Sequence, residues 1–404
     1  MRIGIITYYR VANFGANLQA VSTYRYLEKV GHTPIFIQYT SHQLYLTTDC
    51  CYDTNLQVKA HLDFVDSIIL RHTRPCFTAD DVNRVIAEQG IEALIIGSDA
   101  VLQHHPLRSR IHIKGHYLKR IAITKVNDER RFPNIFWGCG LTRQTAKALM
   151  SVSSQSSEFR YFSSKLKERM NDALQEFSYI SVRDTWTQKM LYDITGQQFP
   201  MTPDPVFAFN QNAGDLIPTR NEILKRFHLP DDYVLVSFVN VRVPEEVITR
   251  LDDLLAGKAV CIALPSPLGV CFSHHLSHEV PMPLDPLDWY ALIKYSRGYV
   301  GNNMHPIVVA LHNGIPCFSI DNYSNYDFRG RPRHDGASKI EDLLRFFHLQ
   351  NNHIVPYKGN TRHLAETIHD SLLSFPSEQV IQTAKERYTH YEIMMQAIIK
   401  SIQS

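Results

Sequence analysis

The sequence predicts an α/β protein of two doubly wound halves that face each other across a cleft and end in a long C-terminal helix. Three observations predict it. Short β-branched runs alternate with stretches of helical period along most of the chain. The length of 404 residues exceeds what a single core usually serves. Polar clusters recur where strands end and helices begin, the place where open α/β sheets bind ligands.

In the first half, Arg2 to Thr7 reads as a strand, Gly15 to Val30 as a helix ending at Gly31, and Thr33 to Gln38 as a strand. Ala93 to Ile96 is a buried strand before Gly97-Ser98-Asp99, and Asn134 to Trp137 reads as another. Glu158 to Phe177 carries apolar residues at helical spacing. Tyr179 to Val182 is a strand ending at Arg183. Asp184 can cap the following helix, and Gly196 can end it. Pro200 to Pro218 is rich in proline, glycine and asparagine, and predicts the link between halves.

The alternation resumes with Tyr233 to Val241, a near-continuous apolar strand expected to be buried on both faces. Ala259 to Leu264 is a strand, Asp285 to Tyr295 a helix and Gly298 to Gly301 a strand. A helix then opens with His305 and Pro306, since proline fits a first turn, and exits at Gly314. Ile315 to Ile320 and Ile354 to Pro356 read as strands, and Ser377 to Ser404 as a long helix.

Composition excludes several classes of function. A net charge of +2 gives no polyanion-binding signature, and no nucleic-acid module is recognisable. No window approaches a membrane-spanning run, and the apolar start is too short for a signal peptide. Seven scattered cysteines without a Cys-x-x-Cys pair predict free thiols in a reducing, cytoplasmic setting. His274, His275 and His278 lie in a segment with no helical period or carboxylate pair, so a metal site is not expected there.

Four polar clusters carry the functional expectation: Arg10 to Gln19, Gly97-Ser98-Asp99, Arg183-Asp184, and the turn before His305. In the first, Asn13 can cap its helix and Gly15 allows close approach to the backbone. It lacks the Gly-x-Gly-x-x-Gly spacing, which disfavours a dinucleotide. Each cluster alone fits turn chemistry; together they point to a cleft site suited to phosphate or carboxylate. Arg108 to Arg131 holds eight lysines and arginines against one aspartate and one glutamate. It reads as a solvated face or as a contact with an anionic membrane surface or a diphosphate-bearing acceptor.

Several segments together are similar to the polysaccharide pyruvyl transferase family. They are Ile3 to Tyr8, Asn13 to Ala20, Ile95 to Asp99, Ile180 to Asp184, Pro203-Asp204-Pro205-Val206, the His305 motif and Ser338 to Leu344, in the family's order. The resemblance implies two Rossmann-like domains, GT-B-like in arrangement. The N-terminal one would span 1–208, with the acceptor side and part of the donor site, and the C-terminal one 209–376, with His305. The helix 377–404 would follow. It implies transfer of the enolpyruvyl group of phosphoenolpyruvate onto two hydroxyls of a sugar, forming a cyclic pyruvate ketal and releasing phosphate, in capsule or exopolysaccharide assembly. No metal or cofactor is implied beyond phosphoenolpyruvate as donor substrate.

On this reading His305 is the general acid or meets the phosphate, since its ordinary pKa lies near neutrality. Arg183 and Lys339 clamp the donor's anionic groups, with Asn303 beside them. Asn13, Asn17, Gly15 and Ser98 lie on the acceptor side; Asp99 orients hydroxyls there or acts as base. The acceptor sugar is expected free, nucleotide-linked or linked through polyprenyl diphosphate, with peripheral membrane contact and no nucleic acid. Two departures stand out. Asn303 replaces an arginine that many members carry, a charge that Arg329, Arg331 or Arg333 could supply. Ala100, Leu102 and Gln103 follow Asp99, where members often have glutamine and then a tryptophan-asparagine pair. The rival readings are a GT-B glycosyltransferase using a nucleotide sugar and a non-catalytic sugar-binding member.

Overall fold

The first five strands are β1 Arg2–Ile6, β2 Thr33–Phe36, β3 Ala93–Asp99, β4 Ala146–Val152 and β5 Tyr179–Val182. They form one parallel sheet in the order β2-β1-β3-β4-β5. This computed structural model describes the chain except residues 115–119, 156, 322–324, 327–331, 334–336, 356–362 and 404.

The second sheet holds β6 Tyr233–Ser237, β7 Val260–Ala263, β8 His278–Glu279, β9 Gly298–Gly301, β10 Cys317–Ile320 and β11 His353–Ile354. Its order is β8-β7-β6-β9-β10-β11, again parallel. Both are doubly wound. The strand order reverses between β1 and β3 in the first sheet and between β6 and β9 in the second. Helices diverge there and leave a crevice at the carboxyl ends.

Local chemistry sets the elements that frame this crevice. Helix Phe14–Lys29 starts where the Asn13 side chain accepts from the Ala16 N–H at 3.1 Å. Helix Thr185–Thr195 starts where Asp184 accepts from the Thr187 N–H at 2.8 Å, and ends at left-handed Gly196. Helix Met304–His312 places His305 and Pro306 in its first turn. Helix Lys339–Phe346 is capped by Ser338, which accepts from the Glu341 N–H at 3.1 Å.

One continuous apolar core joins the halves. It includes Ile3, Leu18 and Tyr24 from the first, Tyr233, Trp289 and Ile307 from the second, and Tyr391, Met394 and Ile398 from the C-terminal helix Ser377–Gln403. That helix returns to the first half: Tyr391 meets Tyr26 edge-on with centroids 5.4 Å apart, and Ser178 donates to Ser401 at 3.3 Å. Separate cores cover the outer faces of the two sheets.

Two expectations are corrected. Asn134 to Trp137 is not a strand; Ile135–Trp137 is a 3-10 turn closed by Gly138 in the left-handed region. A short apolar run cannot by itself distinguish strand from turn. The fourth strand is instead Ala146–Val152, hidden from sequence reading by its alanines and Lys147. That lysine is 1% exposed and donates to the Thr142 carbonyl at 3.1 Å. The helix expected from Glu158 begins only at Ser164, where Ser163 caps it. The turn-rich segment after Pro200, read as the link between halves, runs through the joining core, where Val206, Phe207, Ala208 and Phe209 are fully buried.

Candidate functional site

A cavity of about 590 Å³ occupies the crevice where the carboxyl ends of both sheets meet. Tyr8 and Asn13 reach it from the β1 side, Asp99 from β3 and Arg183 from β5. His305 enters from the helix after β9, and Lys339 from the helix Lys339–Phe346.

His305 crosses from the second half to pack on the first. An added Cβ on Gly15 would stand 2.0 Å from the imidazole Cγ and 2.2 Å from Nδ1, so the ring occupies the space a side chain would need. Its Nε2 lies 2.9 Å from the Gln19 side-chain nitrogen and 3.8 Å from Asp204 Oδ2. The same Gln19 nitrogen donates to Asp204 Oδ2 at 2.7 Å. With the amide assigned as donor to both, the imidazole accepts at Nε2 and carries its proton on Nδ1.

Arg183 lies on the floor of the cavity with its side chain 4% exposed. Nη1 donates to Asp204 Oδ2 at 2.7 Å, and Nη2 stands 3.5 Å from Asp99 Oδ1. The other oxygen of Asp204 accepts from the Val206 N–H at 2.9 Å. Asp99 has φ of +93°, a backbone strained for any residue but glycine, and its Oδ1 accepts from the Ala100 N–H at 2.6 Å. Lys339 points into the cavity, and its ammonium has no hydrogen bond or ion pair among the described residues.

Burial and charge set the protonation states. Burial pushes the His305 pKa down, and the positive Arg183 and Lys339 reinforce it against Asp204 and Asp99. The imidazole is therefore neutral at pH 7. Burial, and then the Arg183 charge, push Lys339 down to about 8. Burial opposes ionisation of Asp99, but Arg183, His305 and Lys339 outweigh it and hold its carboxyl below the ordinary value. Two cations and two carboxylates thus nearly cancel. The one cation free of a carboxylate contact in this set is Lys339, and the one neutral group able to take up a proton is His305.

The model of the polysaccharide pyruvyl transferase family matches residues 13–325. The chain belongs to that family. No curated protein matches it by sequence. Among solved structures, UDP-GlcNAc 2-epimerase from Neisseria meningitidis has 9% sequence identity and a TM-score of 0.55. The match covers 99% of this chain and 100% of that one. A glycosyltransferase from Rickettsia africae has 10% identity and a TM-score of 0.49, covering 100% of this chain and 97% of that one. The likeness to the epimerase is one of fold, and agrees with the GT-B-like arrangement expected from sequence.

In this pyruvyl transferase family member the predicted residues divide into two groups. His305, Asp99, Arg183, Lys339, Asn303, Asn13 and Gly15 line the cavity. Asn17 and Ser98 do not. Asn17 is fully buried behind the wall; its amide donates to the Val11 carbonyl at 2.9 Å and meets His61 Nδ1 at 3.1 Å. The Ser98 hydroxyl donates to the Ser151 carbonyl at 2.9 Å. The absent side chain of Gly15 makes room for the His305 ring. Asn303 is the residue before the helix, and its side chain makes no capping bond. Arg329, Arg331 and the side chain of Arg333 lie outside the described residues.

Sequence reasoning missed Gln19 and Asp204 as site residues, although both sit in motifs it had singled out. The signal was the pairing of a buried-type Asp-Pro turn with a strand ending in arginine. Among the described residues, no group of three or more His, Cys, Asp or Glu could hold a metal ion. No helix among them is long and apolar enough to cross a membrane.

Proposed function

We propose that the chain moves the enolpyruvyl group of phosphoenolpyruvate onto two hydroxyls of one sugar, forming a cyclic pyruvate ketal and releasing phosphate. The observation that carries this reading is the shared Asp204 carboxylate. It ties Arg183 at 2.7 Å and His305 at 3.8 Å into one array across the cleft. Phosphoenolpyruvate brings a phosphate and a carboxylate, which Arg183, Lys339 and the amino end of the Met304–His312 helix would hold. Its negative charge would raise the His305 pKa, so the bound state would carry an imidazolium beside the donor.

The imidazolium protonates the methylene carbon, which becomes the methyl group of the ketal, and the adjacent carbon accepts the first sugar oxygen. The second oxygen displaces phosphate. Of the two hydroxyl protons, one restores the proton given to carbon and one leaves with phosphate. Asp99, held ionised, is suited to take them as base.

The setting we propose is polysaccharide assembly at the inner face of a membrane. The hairpin of Ile111–Lys114 and Arg120–Ile123 supports that contact: Ile111, Ile121 and Ile123 are exposed beside the basic residues of this stretch. A thermal shift with phosphoenolpyruvate tests the donor. Binding at 100 times the dissociation constant stabilises by about 2.7 kcal/mol. Phosphate release in the presence of a sugar then tests turnover. A shift with a nucleotide sugar and none with phosphoenolpyruvate would favour the glycosyltransferase reading.

A further inference from the structure

The cavity has a second polar wall that the donor chemistry does not use. Glu129 lies on the short turn Asp128–Arg130 and lines the cavity, yet it is only 3% exposed. One carboxylate oxygen accepts from the Asn127 side chain at 3.0 Å; the other, Oε2, is buried and has no partner among the described residues. Tyr8 lines the same wall, and its hydroxyl is likewise buried with no partner among the described residues. Two orphaned buried polar atoms on residues that line one cavity are unusual in a folded protein, because each loses its water without replacement.

The turn that carries Glu129 is pinned. Asn134 donates to the carbonyls of Glu129 at 2.8 Å and Arg131 at 3.0 Å, and the Phe132 N–H donates to His104 at 3.0 Å. Tyr8 packs on Phe136 with ring centroids 5.1 Å apart. The two groups are therefore held in place before any ligand arrives. Tyr8 follows β1 and Asp99 ends β3, the neighbouring strand, so this wall adjoins the reacting end at the switch point of the first sheet. Burial, and after it the Glu129 charge, push the Tyr8 hydroxyl pKa up, so it remains a neutral donor and acceptor.

We propose that Glu129 and Tyr8 form the subsite that reads hydroxyl groups of the sugar acceptor, a proposal that rests on the pyruvyl-transfer reading. A carboxylate oxygen accepts from a hydroxyl, and a phenol can donate to or accept from its neighbour. The pair thus fits adjacent hydroxyls on a neutral ring. Phosphoenolpyruvate goes to the Arg183 and Lys339 end, where the cations are not matched by a lining glutamate, and the polyol to the Glu129 end. Asn127 and Arg130 flank the acceptor end.

The test uses the full chain and a panel of methyl glycopyranosides of glucose, galactose, mannose and N-acetylglucosamine. Binding is followed by saturation-transfer NMR with phosphoenolpyruvate present. At least one glycoside is expected to bind the wild type. Glu129→Gln and Tyr8→Phe should each weaken it tenfold or more and leave phosphoenolpyruvate affinity within twofold. That unchanged affinity also reports an intact fold. Equal glycoside binding by wild type and both variants would overturn the assignment, as would no glycoside binding to a wild type that binds phosphoenolpyruvate. A wild type that binds glycosides through Glu129 but not phosphoenolpyruvate would refute the donor and keep the subsite.

Discussion

Gly15 and His305 share one volume: a Cβ on the glycine would stand 2.0 Å from the imidazole Cγ. The two residues come from opposite halves of the chain. The missing side chain of one is thus the seat of the other, and it fixes how closely the halves approach at the site.

Gly15→Ala should therefore expel the ring. Overpacking of this kind typically costs about 1–3 kcal/mol. We expect a fall in thermal stability of that size and a loss of phosphate release of more than about a hundredfold. Wild-type turnover in Gly15→Ala would mean that the ring position is irrelevant.

Arg183 and Asp204 should behave as a coupled pair. Removing one partner of a buried ion pair costs about 3–5 kcal/mol, because the other charge is left uncompensated. Arg183→Ala should destabilise on that scale, whereas Arg183→Ala with Asp204→Asn should recover part of the loss. A double-mutant cycle by urea denaturation measures it; additive losses would deny the coupling.

Lys339, pushed down to about 8, should make donor affinity depend on pH. A bound anion favours the ammonium form. Affinity for phosphoenolpyruvate should hold below pH 8 on account of this group and fall by up to about tenfold per pH unit above it. Lys339→Met should bind more weakly and lose that slope. A profile that is unchanged in Lys339→Met would remove the lysine from the donor site.

Acid should unfold the protein through its buried histidines. Burial pushes His61 and His104 down to about 4, and His312 down to about 3. The ordinary value is 6.5 in each case, and the unfolded chain therefore binds protons first. Their stability contribution is present above pH 6.5 and is lost as pH falls toward 4, by about 3 kcal/mol for His61 alone. His61→Gln should flatten the fall in melting temperature over that window. An unaltered slope would contradict it.

Much of this architecture was legible because local chemistry and global fold agree. Asp184 and Gly196 bracket a helix as caps should, and Tyr233–Ser237 is apolar up to its last residue because it is buried on both faces. The fourth strand was not legible. Lys147 is buried there only because the Thr142 carbonyl and Glu176 receive it, partners that no local pattern reveals. The site was legible as addresses rather than as contacts. Asn13, Asp99, Arg183 and His305 were found at strand ends. The array that joins the last three runs through Gln19 and Asp204, which are brought together only by folding. Asn17 and Ser98 share those addresses but turn inward to satisfy backbone carbonyls, and polar type alone does not distinguish the two directions.

Donor binding should occur at a site whose charges nearly cancel until phosphoenolpyruvate arrives. Titration calorimetry at pH 7 in two buffers of different ionisation enthalpy tests it most directly. Binding is expected with net proton uptake, reduced in His305→Gln as the imidazole is removed. Binding without proton uptake, or no binding at millimolar phosphoenolpyruvate, would contradict it.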